Sequence, residues 1–170
     1  LLGILLCVGV GQKAWGQETL TVHDGTTTNS NIPVWGSWTD NSLQHEFVYP
    51  ASELASLSGG TITSLKFYSS SYSTVSWNGS FNIYIKEVSS TSLSSFLGTN
   101  NATLVYSGSL GVSSSEMTIP FTSSYTYNGG NLWVGVYYTA TTGYSSSYWY
   151  GETVSGASIY GRSGDSYSVR

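Results

Sequence analysis

Apolar and polar residues alternate with a period of two along much of this chain, and no stretch keeps a helical period for long. The clearest case is Phe81, Ile83 and Ile85 alternating with Asn82, Tyr84 and Lys86, the mark of a half-buried strand. From Asn131 to Tyr138, Leu132, Val134, Val136 and Tyr138 alternate with Trp133, Gly135 and Tyr137. The same pattern predicts strands at Thr19–Val22, at Glu46–Tyr49 up to Pro50, at Ile62–Tyr68, Leu104–Leu110 and Met117–Phe121. Weaker strand signals cover Ser147–Tyr150 and Ala157–Tyr160. Short helical turns are predicted at Ser52–Ala55 and at Ser92–Leu97, which opens on a Ser/Thr cluster suited to capping. Trp77, beside Asn78-Gly79, reads as a loop, and Asn128-Gly129-Gly130 as a turn ahead of a strand. The serine runs at 69–71, 113–115 and 145–147 read as loops between strands. Eight or more short strands without helical crossovers predict an all-β fold. Within that class we expect an antiparallel β-sandwich, jelly-roll-like, with one or two short helical turns.

The first residues break this pattern. Leu1–Val10 is an apolar run, and Ala14-Trp15-Gly16 places small residues three and one before a cut ahead of Gln17. The run falls well short of the roughly 20 apolar residues that a membrane span needs. Residues 1–16 therefore read as a signal peptide lacking its basic n-region, and 17–170 as a single β-sandwich domain. The expected location is secreted or on the outer cell surface. The single cysteine, Cys7, lies within the signal, and Leu6 before it argues against lipid modification, which favours a small residue there. The exported domain thus carries neither thiol nor disulfide and must rest on its hydrophobic core.

Charge narrows the function. Only 8% of the chain is charged, against an ordinary fraction of about a quarter. Loss of Lys13 with the signal leaves four basic residues against nine acidic ones. Lys66, Lys86, Arg162 and Arg170 are scattered, whereas a phosphate backbone needs clustered cations, so nucleic acid is excluded as a partner. Nor does the chain read as an integral membrane protein.

Catalytic and metal chemistry find little footing. His23 and His45 have no other His or Cys at ligand spacing, and His45-Glu46 is not part of an H-E-x-x-H motif. Calcium is the metal to consider, with Asp24, Asn29 and Asn31 as the candidate cluster and Asp40-Asn41 as a lesser one. Calcium prefers several carboxylates among six to eight oxygens, and turn formation explains isolated Asp and Asn better. No other cofactor is implied. There is no G-x-S-x-G elbow, and the carboxylates show no paired motif of the kind glycoside hydrolysis uses. The expectation is a protein that is not an enzyme.

Aromatic residues make up 15% of the chain, with 14 tyrosines. Sugar CH faces pack on planar rings, while Asn, Ser and Asp read hydroxyls, and Tyr and Trp give large contact area at low entropic cost. Two groups fall in candidate loops or edges: Trp35 and Trp38, and Tyr144, Tyr148, Trp149 and Tyr150. Trp77 joins them as a third position. In an extended segment Tyr148 and Tyr150 share one face and Trp149 takes the other. The competing role for all these rings is to close the ends of the core.

Six segments in order resemble a family of β-sandwich modules in secreted and surface proteins of Bacteroidetes. They are Thr21–Thr26 with Thr28–Ser30, Phe47–Leu54, Gly60–Leu65 with Phe67-Tyr68, Asn82–Val88, Thr103–Gly108, and Pro120-Phe121 with Tyr127–Leu132. Such modules follow signal peptides or sit beside fibronectin type III-like domains, in proteins described as adhesins, hemagglutinins or peptidases. The resemblance covers nearly all of 19–138 and thins beyond Tyr138, where a closing Arg-Pro strand is missing. It implies that the domain is truncated before its last strand and tethered to further domains of one parent chain. It also implies an accessory or adhesion module and transfers no catalytic site. The sequence thus favours an exported, non-catalytic adhesion or ligand-binding module, with a glycan or a host or surface glycoprotein as partner. The alternative is a structural spacer that positions a separate peptidase or glycosidase domain.

Overall fold

The computed structural model describes residues 19–35, 42–140, 147–162 and 168–169. Residues 1–16, read above as a signal peptide, and Trp38, Asp40-Asn41 and Tyr144 lie outside the described residues. Among the described residues ten strands occur in chain order: β1 (Thr27–Asn29), β2 (Ser42–Tyr49), β3 (Thr61–Tyr68), β4 (Thr74–Val88) and β5 (Thr103–Ser113). They continue as β6 (Glu116–Thr126), β7 (Asn131–Ala140), β8 (Trp149–Gly151), β9 (Ser158–Arg162) and β10 (Ser168–Val169).

Pairing follows a simple rule: β1 with β8, β2 with β7, β3 with β6 and β4 with β5, all antiparallel. This is a long hairpin rolled over on itself, which is what makes a jelly roll. An isolated bridge between Ser69 and Trp149 joins β8 to the end of β3. The first layer therefore runs β1-β8-β3-β6. The second runs β10-β9-β2-β7-β4-β5, and the β5–β6 hairpin links the two. Ser114 and Ser115, at φ 52° and 63°, make that hairpin turn, the positive-φ pair a tight hairpin demands.

The alternation seen in sequence becomes the core. Phe81, Ile83 and Ile85 are fully buried, and Phe47, Trp77, Met117, Ile119 and Val134 join them between the layers. Aromatic edges cross the gap: Phe47 meets Phe67 at 6.0 Å, and Trp77 meets Trp149 at 6.0 Å between ring centroids.

Three local expectations need correction. Thr19–Val22 is not a strand; it is coil whose Leu20 and Val22 pack against the core, and β1 starts later at Thr27. Trp77-Asn78-Gly79 is not a loop but the irregularity inside the single long strand β4, where register shifts between Trp77 and Phe81. Ser92–Leu97 forms no helical turn; both 3-10 turns lie together at Ala51–Glu53 and Ala55–Leu57. Ser92–Leu97 instead lies over the outer face of the second layer, where buried Leu93 packs with Val48, Trp133 and Ile159 in a second small core.

A buried carboxylate holds that cover in place. Glu46, fully buried, accepts the Leu97 N–H at 2.7 Å, the Gly98 N–H at 2.9 Å, the Trp133 indole N–H at 2.9 Å and the Tyr137 hydroxyl. Burial, followed by the bond to Glu46, pushes the Tyr137 phenol up, which keeps it a protonated donor. Gly135 stands opposite Glu46 in the ladder, and a Cβ there would come within 2.3 Å of the Trp133 ring. The glycine lets the Trp133 and Tyr137 rings close in from either side. Lys86 Nζ lies 4.5 Å from the Trp133 ring centre and donates to the carbonyls of Gly98 at 2.7 Å and Asn100 at 3.2 Å. The backbone of Gly98 thus links the side chains of Glu46 and Lys86.

Candidate functional site

The site candidates must be exposed, and the rings singled out in the sequence divide on that criterion. Trp77 is 0% and Trp149 1% exposed, and the Trp149 indole N–H donates to the Val34 carbonyl at 2.9 Å. A ring with no free face offers no platform, so both tryptophans move from the ligand-binding set to the core. Trp35 is half-buried, edge-on to Tyr160 at 5.9 Å, and its backbone N–H binds the Tyr138 hydroxyl. Tyr148 and Tyr150 are 50% and 49% exposed. They point outward from the first layer because Trp149 between them points in.

A third ring stands beside them without any local signal in the chain. In the antiparallel bridge Ser69–Trp149, the flanking positions Tyr68 and Tyr150 oppose each other, and opposed residues share a face with Cβ atoms about 5 Å apart. Tyr68 is 43% exposed. Tyr68, Tyr148 and Tyr150 therefore lie on one outward face at the β3–β8 junction. Beside them Lys66 and Glu116 form an ion pair at 2.8 Å; the bond to Glu116, with its nearby charge, raises the Lys66 pKa.

Serines fix the backbone under these rings. Ser69 and Ser147, both buried, share a hydroxyl–hydroxyl bond of 3.0 Å. The Tyr148 N–H donates to Ser71 Oγ at 2.8 Å, and the Ser70 N–H donates to the Tyr148 carbonyl at 2.8 Å. A polar network that satisfies its buried groups rigidifies what it carries. The serine run at 69–71 and Ser147, read as plain loops, thus carry the rings above them.

The candidate calcium residues have other work. Asn29 Oδ1 accepts the N–H groups of Asn31 at 3.0 Å and Ile32 at 2.7 Å, a side-chain-capped turn. Asn31 is buried, and Asp24 is exposed on the coil before β1. Among the described residues no three His, Cys, Asp or Glu side chains gather as a metal group.

The described carboxylates are similarly placed. Glu87 accepts the Asn128 N–H at 2.8 Å and the Gly130 N–H at 2.6 Å, pinning the Asn128-Gly129-Gly130 turn. Partial burial alone would raise its pKa, but these bonds and those from the Asn128 amide and Tyr125 outweigh it and hold the carboxyl below its ordinary value. Glu53 and Glu152 flank His23 at 3.3 and 3.4 Å, one on each ring nitrogen, and His23 stacks on Tyr49. Each carboxylate is thus engaged by a different nitrogen of one imidazole.

His45, on the opposite side of β2 from Glu46, is fully buried as well. Its ring lies between Tyr138 and Tyr160, at 5.5 and 6.1 Å and within 14° of parallel. Phe81 extends the stack at 4.5 Å from Tyr138. Neither imidazole nitrogen has a hydrogen-bond partner among the described residues. Burial lowers its pKa from 6.5 to about 3, with a smaller opposing effect from the nearby Asn31 backbone.

No family model, curated protein or solved structure matches the chain. Among the described residues no helix is long and apolar enough to cross a membrane.

One prediction follows from the placement of Trp149. Trp149→Ala should lower unfolding stability by about 3–5 kcal/mol, as expected for emptying a buried aromatic site. Urea denaturation measures it; a loss under about 1 kcal/mol contradicts the core assignment.

Proposed function

We propose that this chain is an exported, non-catalytic β-sandwich module that binds a carbohydrate through Tyr68, Tyr148 and Tyr150. The observation that carries the reading is the joint exposure of these three rings on one face. Exposed aromatic rings on a rigid backbone lose little entropy when a ligand packs on them. The Ser69–Ser147 and Ser71–Tyr148 bonds supply that rigidity. The low charge of the chain supports a neutral ligand held by stacking and hydrogen bonds, with weak salt dependence. The apolar leader and the ordered resemblance to Bacteroidetes surface modules support a setting outside the cell, within a larger adhesin-like protein.

A glycan array probed with the full chain, with and without calcium, tests this. We expect reproducible hits that persist at high salt. The double variant Tyr148→Ala/Tyr150→Ala should weaken them about tenfold or more while remaining folded. A blank array with folded protein overturns the proposal and favours a spacer that positions a partner domain.

A further inference from the structure

The outer face of the second layer is divided in two. One half lies under the cover that Glu46 holds, above Val48 and Trp133. On the other half, three adjacent strands align polar side chains in rows. Gln44 of β2, Tyr137 of β7 and Asn82 of β4 are register partners. One step along, Ser42, Thr139 and Ser80 form a second row, with the Ser42 and Thr139 hydroxyls 3.2 Å apart. Together the rows line an open cleft of about 460 Å³.

We propose that this cleft binds a neutral oligosaccharide, as a second site distinct from the tyrosine face on the opposite layer. Among the described residues its lining contains no charged side chain. Phosphorylated, sulfated or strongly charged peptide ligands would find no counter-charge among these described residues. Gln44 and Asn82 each offer a carbonyl acceptor and an amide donor, the complement of vicinal sugar hydroxyls, which both donate and accept. Neighbouring strands lie about 4.8 Å apart, so each row presents a hydrogen-bonding group at close to the length of one hexose unit. Leu43 and Tyr138 reach the cleft only at its floor, because their side chains are buried on the inner face. An apolar helix or strand would therefore find no anchor.

Tyr137 makes the cleft pre-organised. Its hydroxyl donates to buried Glu46, and its ring stands edge-on to Tyr84 at 5.8 Å. A ring locked from both sides presents its free edge without further ordering cost. Two sites on opposite layers would also let one module bridge two sugar chains, which raises avidity for a polysaccharide.

Backbone amide NMR of the full chain tests the proposal, with cellohexaose, xylohexaose, mannohexaose and maltohexaose as probes. We expect at least one to shift amides around Gln44, Tyr137 and Asn82. Gln44→Ala/Asn82→Ala should weaken that binding about tenfold with the spectrum otherwise retained. Tyr148→Ala/Tyr150→Ala should leave those shifts in place. Shifts confined to Tyr68, Tyr148 and Tyr150 would overturn the second site while sustaining the first. No shift on β2, β7 or β4 with any of the four sugars overturns it as well.

Discussion

Glu46→Ala should destabilise the domain by about 4 kcal/mol or more, the largest loss we expect from any single polar substitution in it. The carboxylate accepts two backbone N–H groups, an indole and a phenol, and all four would be left without an acceptor. Each orphaned buried donor costs about 1–3 kcal/mol. Glu46→Gln keeps one carbonyl oxygen but turns an amide donor toward the remaining donors, so it should recover only part of the loss. The damage should begin locally, because Glu46 ties the 89–102 cover to the sheet. Urea unfolding gives the magnitude, and limited proteolysis should show early cleavage between residues 89 and 102. A loss under about 1 kcal/mol, with the cover still protected, would show that the carboxylate is not the tie.

Acidification should act through His45. Its folded pKa of about 3 lies below the ordinary 6.5. Between those values the unfolded chain takes up a proton that the folded chain refuses. Stability is therefore intact above 6.5 and falls as pH drops toward 3, by roughly 1 kcal/mol per pH unit. Glu87 adds a loss of the same sign at lower pH, since its carboxyl is held below its ordinary value. His45→Phe keeps the stack between Tyr138 and Tyr160 but cannot titrate. The difference in unfolding free energy between wild type and variant, followed from neutral to about pH 5, isolates this imidazole. We expect the variant to lack most of the wild-type slope; equal slopes would mean that His45 is protonated within the fold.

Much of the architecture is written locally. The alternation in Phe81–Lys86 and Asn131–Tyr138 marks two central strands, and their inward residues form the core. Sheet order is a long-range property, yet eight short strands without helical crossovers already narrow the choice to a sandwich. The misreadings share a cause. Leu20 and Val22 are apolar because they pack against the core, and burial of a coil leaves the same imprint as a strand. Asn78-Gly79 has turn chemistry, but β4 accommodates it as an irregularity between two neighbours that hold the strand in line.

The site was less legible. Tyr148 and Tyr150 could be placed on one face from their spacing alone. Tyr68 joins them only through the Ser69–Trp149 bridge, which unites segments about 80 residues apart and has no local signature. Glu46 is harder still: its partners lie 51, 52, 87 and 91 residues away, and as a sequence feature it is one carboxylate in an ordinary strand. Trp77 and Trp149 show the opposite error. Tryptophan serves core and binding surface equally well, and only the register decides which face of the strand it takes.

The most direct test of the central claim is equilibrium titration of the folded chain with a neutral glycan from the array, beside the triple variant Tyr68→Ala/Tyr148→Ala/Tyr150→Ala. Binding by the wild type that survives high salt, and weakens at least about tenfold in a folded triple variant, is the predicted result. Equal affinity in both proteins would contradict a tyrosine platform, and no binding by either would leave the module without the function proposed for it.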